Sequence, residues 1–140
     1  MNYRNNLIFG TLLAPVGVIA AVLVSFMDLG MAEDWVSFLV YAPIAIFIAG
    51  FIFYPLLSTK KNLKYFSALI VGMLCGTLSH YICWVFMGLS SASNFEEILK
   101  TFIIGLVLTP FSLILLGWLT VLYSIIVAIL YVKYIKITLP

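Results

Sequence analysis

Residues 66–89 read FSALIVGMLCGTLSHYICWVFMGL, 24 positions without an Asp, Glu, Lys or Arg. A helix rising about 1.5 Å per residue needs about 20 residues to cross a hydrocarbon core of about 30 Å. The stretch therefore reads as one membrane-spanning helix. Three more uncharged blocks flank it, at 7–27, 36–57 and 102–131. The first two match one crossing each, whereas the 30 residues of the last exceed one crossing by about ten. None shows the strict alternation of a lipid-spanning barrel strand.

Composition agrees with this reading. Hydrophobic residues make up 65% of the 140 and charged residues 9%, against about 45–50% and about 25% in soluble domains. Twelve Asp, Glu, Lys and Arg side chains cannot cover the surface of a water-soluble fold. The expected architecture is all-α and integral to the membrane: a single domain, residues 1–140, with four transmembrane helices in an up-down bundle. The first block is expected to remain in the chain, because it exceeds the roughly 7–15 apolar residues of a signal-peptide core.

Charge sets the expected orientation. Arg4, Lys60, Lys61, Lys64, Lys133 and Lys136 fall on one side of such a bundle. Lys100 and all five acids, Asp28, Glu33, Asp34, Glu96 and Glu97, fall on the other. Short loops rich in Lys and Arg stay cytoplasmic, so both termini are expected in the cytoplasm of a bacterial cell with the spans in its inner membrane. Three Lys in one short loop make a partner for lipid head groups and not for nucleic acid.

The long last block has internal punctuation. Ser93-Asn94-Phe95-Glu96 has the spacing of a capping box, which places a helix start at Asn94. Pro110 lacks a backbone donor and crowds the preceding turn, so it is a candidate hinge. These signals predict a short amphipathic interfacial helix over 94–108 and a final span over 110–132. One long, kinked helix is the competing reading. Pro15 and Pro43 sit in similar Ala-Pro-x-small contexts within the first two spans.

Two ladders of small residues stand out: Ala68, Gly72 and Gly76 in the third span, and Thr120, Ser124 and Ala128 in the fourth. Residues four apart share a helix face, and small ones let a second backbone approach closely. The ladders serve either packing inside the bundle or a partner or oligomer interface.

A row of Cys75, Ser79 and Cys83 runs beside the glycines, with His80, the only histidine, adjoining it. Ionisable groups inside spans are costly and often functional. Ser79, His80 and Cys83 therefore form the candidate buried polar site. One histidine supplies a single haem ligand, no third strong donor completes a metal site, and no carboxylate supports a proton relay. A neutral imidazole hydrogen-bonded to a Ser, Thr, Tyr or carbonyl is the expected state, with Thr77, Tyr41 and Tyr123 among the candidate partners and with no metal or cofactor. Cys75 and Cys83, about 12 Å apart along a helix, cannot form a disulfide.

No catalytic motif occurs, and catalysis is not expected. The favoured function is helix–helix recognition of a membrane-protein partner. Bacteriocin immunity proteins of the inner membrane and accessory subunits look like this in general architecture, although no motif here identifies either group. A homo-oligomeric channel or transport component is the alternative.

Overall fold

The computed structural model describes residues 3–26, 35–57, 60 and 62–135. Asp28, Glu33, Asp34, Lys61 and Lys136, used above for orientation, lie outside the described residues. Four helices are long and apolar enough to cross a membrane: Tyr3–Phe26, Val36–Leu56, Lys64–Ser91 and Phe95–Tyr134. The elements are α1 (Tyr3–Phe26), α2 (Trp35–Phe53), α3 (Lys64–Ser91), α4 (Phe95–Ser112) and α5 (Trp118–Leu130). A tight 3₁₀ turn, Tyr54–Leu56, ends α2 at Pro55.

The last apolar block differs from the expected division at Pro110. Pro110 lies inside α4, and the helix passes into a wide π-turn, Leu113–Gly117, before α5 begins. The helical run is therefore continuous from Phe95 to Tyr134. A ring without an N–H removes one rung, and the turn that follows relaxes by widening instead of breaking. The cap is also shifted by one residue. Asn94 Oδ1 accepts from the Glu97 N–H at 2.9 Å, and Glu97 Oε2 accepts from the Ser93 N–H at 2.7 Å. The reciprocal pair is thus Asn94–Glu97, not Ser93–Glu96.

Close backbone contact joins the helices in pairs. A Cβ on Gly17 of α1 would lie 2.5 Å from Pro43 Cα of α2, and one on Gly72 of α3 would lie 2.5 Å from Ile125 Cα of α5. Neither contact tolerates a side chain. Gly10 meets Phe47, and Gly76 meets Val121, so each pair runs in opposite directions.

The main core gathers at one end, where Phe9, Leu13, Ile46, Val71, Cys75 and Tyr131 are buried. Phe9, Tyr54 and Tyr131 form a ring triangle there, with centroids 5.2–6.0 Å apart. Asn6 is buried beside it and donates through Nδ2 to the Phe51 carbonyl at 3.1 Å. At the other end, α4 packs chiefly on α3.

Candidate functional site

His80 stands midway along α3, half-buried, facing the inner side of the α4–α5 run. Its Nδ1 lies 3.0 Å from Ser112 Oγ and its Nε2 lies 2.8 Å from Thr120 Oγ1. Ser112 Oγ also lies 3.0 Å from the Thr109 carbonyl, and Thr120 Oγ1 lies 3.2 Å from the Gly117 carbonyl. Each hydroxyl thus has two acceptors for its one proton, and the direction of each bond to the ring follows from the imidazole tautomer. Both ring nitrogens are engaged.

Ser112 and Thr120 are eight positions apart, which corresponds to about 12 Å along a straight helix. The imidazole spans part of that distance, and the reach of the two hydroxyl side chains and the shorter rise of the π-turn cover the rest. Between the two residues the run passes from the last turn of α4, which holds Pro110, through the wide turn. Pro110 and the π-turn supply the bend, as such features do in other helices. His80 clasps the two limbs of the bend together.

Beneath the bend lies a cleft of about 50 Å³, lined by all four long helices. Gly17, Ala20, Ala21 and Ala42 form one wall, with Phe38 and Trp84 toward one end and Leu116 of the π-turn opposite. The rings of Phe38 and Trp84 meet edge to face at 5.2 Å. Small residues on α1 and α2 leave the space that larger side chains would fill. Ser79, His80, Cys83, Ser112 and Thr120 add the polar atoms.

Ser79, His80 and Cys83 thus lie together on the cleft. Ser79 Oγ is turned back to the Gly76 carbonyl at 2.9 Å. The partners expected for His80 are a different matter. Thr77 is exposed, Tyr123 donates to the Leu12 carbonyl at 3.2 Å, and Tyr41 meets Phe86 with the rings tilted, centroids 6.2 Å apart. Thr77 shares α3 with His80, Tyr123 on α5 turns to α1, and Ser112 and Thr120 are the side chains that reach the imidazole. Ser112 is the residue that sequence reasoning missed. Its signal was the spacing of Ser112, Leu116 and Thr120, a row of fours just after Pro110.

All six ladder residues are buried inside the bundle: Ala68, Gly72, Gly76, Thr120, Ser124 and Ala128. They hold α3 against α5, with Thr120 also reaching His80. Ser124 Oγ is buried without a hydrogen-bond partner. Cys75 lies in the core, and both thiols are free. Among the described residues, no three His, Cys, Asp or Glu side chains converge on a metal-sized space.

Compared with protein-family models, with curated proteins and with solved structures, the chain matches none.

Proposed function

We propose that this chain is a small multi-pass membrane protein without catalytic chemistry, working by recognition of a membrane-embedded segment of another protein, as an inhibitor or accessory subunit does. In this reading the four helices form an up-down bundle across a bacterial inner membrane, with both termini cytoplasmic. The observation that carries it is the outward ridge of the α4–α5 run. Ile103, Leu106, Val107, Phe111, Ile114 and Trp118 are each more than half exposed, and α4 leans chiefly on α3. The buried ladders leave this ridge as the longest apolar face open to a partner helix. Such helix-in-groove contacts read as anchors at three- and four-residue spacing.

A photo-crosslinking amino acid placed at Ile103, Leu106 or Ile114 in cells tests the reading. One discrete protein adduct from these positions, and none from Val18 or Ile44 on α1 and α2, is the expected result. An adduct of twice the chain's own mass would instead support the homo-oligomeric channel. Equal labelling on every face would remove the case for a recognition ridge.

A further inference from the structure

We propose that the cleft beneath the bend is a binding site for one hydrocarbon chain of a membrane lipid. The inference rests on the membrane-spanning reading above. Its argument starts from the hydrogen bonds. Both nitrogens of His80 are engaged by Ser112 and Thr120, Ser112 also meets the Thr109 carbonyl, Thr120 also meets the Gly117 carbonyl, and Ser79 donates to the Gly76 carbonyl. The imidazole and hydroxyl protons on the lining are thus engaged within the protein, which leaves the Trp84 indole N–H and the weakly donating Cys83 thiol. A polar guest or a column of water would find few partners and surrender most of its own hydrogen bonds on entering, at a cost that an apolar guest does not meet.

Shape points the same way. The lining runs from Gly17 to Val24 on α1 and from Phe38 to Ile46 on α2, a length of about 10–12 Å along the helix axes. A slot that follows the helices follows the direction of lipid chains. A side chain reaching in from a partner helix would enter across it. Val24 and Phe38 stand within a turn of the described ends of α1 and α2. The slot thus extends toward that end of the bundle, while the His80 clasp closes its floor. Among the described residues, the surface beside the α4–α5 run, with Phe111, Ile114 and Leu115, is apolar and exposed.

Tryptophan quenching by lipids brominated along the acyl chain tests the proposal, because Trp84 lines the slot and Trp118 faces outward, 61% exposed. Two backgrounds in phosphatidylcholine vesicles each retain one indole: W35F/W118F keeps Trp84, and W35F/W84F keeps Trp118. Brominated chains are expected to quench both. Filling the slot from opposite walls, with Ala20→Leu or separately with Cys83→Leu, is expected to cut quenching of Trp84 at least twofold and leave Trp118 unchanged. Quenching of Trp84 that is indifferent to both substitutions, or absent while Trp118 is quenched, overturns the chain-binding site. If Trp118 also escapes quenching, the membrane-spanning reading fails with it. Size-exclusion profiles of the two filled variants show whether each has folded, and one folded variant suffices.

Discussion

A Cβ built on Gly76 would lie 2.6 Å from the Cα of Val121, too close for any neighbour to accommodate without moving a backbone. Without a hydrophobic drive between helices in lipid, van der Waals contact of this kind is what holds them together. Gly76→Leu should therefore force α3 and α5 apart and lower stability by about 3 kcal/mol, the upper range for overpacking a close contact. Thr77→Leu, on the exposed neighbouring face, should leave stability unchanged. Unfolding in mixed micelles by added SDS measures both, and equal midpoints would contradict the contact. The Gly-x-x-x-Gly spacing was plain in the sequence, but its partner was not. A face of small residues says that a backbone approaches, and only the tertiary arrangement says whose. Gly17 and Ala21 also stand four apart, but nothing in that spacing pointed to the proline of the next helix, so the approach of Gly17 to Pro43 went unread.

Among the elements, the α4–α5 run is where sequence and structure part most. The cap at its start was legible to within one residue, because Asn94 and Glu97 bond locally. The bend was legible as Pro110, but its outcome was not. A proline announces a lost rung, while the wide turn at Leu113–Gly117 that absorbs it is bridged by His80 from another helix. This bridge gives a prediction. In His80→Ala, Ser112 and Thr120 lose their shared bridge and the bow relaxes toward a straight rod. Spin labels placed at Lys100 and Lys133 should then sit farther apart, with a broader distance distribution by pulsed electron resonance. His80→Gln, which keeps a donor and an acceptor on one planar group, should restore much of the native distance. Identical distributions in wild type and His80→Ala would show that Pro110 and the wide turn set the bend alone.

For the whole molecule, packing and charge tell one story. The Phe9–Tyr54–Tyr131 triangle places the start of α1, the end of α2 and the end of α5 together. Arg4, Lys60, Lys64 and Lys133 lie within a few residues of those ends, whereas Glu96, Glu97 and Lys100 lie at the start of α4. Lys100 is paired there with Glu96 at 2.7 Å, an exposed contact of little energetic weight. The positive-inside rule then predicts which end faces the cytoplasm. In a Cys75→Ser, Cys83→Ser background, a cysteine at Lys60 should resist a membrane-impermeant maleimide in intact cells, and one at Ser93 should react. The reverse pattern would invert the orientation. The triangle also bears on how the chain is made. Phe9 is translated well before Tyr131, yet each is the other's neighbour, with ring centroids 5.2 Å apart. The start of α1 therefore stays unsealed until the end of α5 has been made. A seam opened by one helix is closed only after the other three helical runs have followed it.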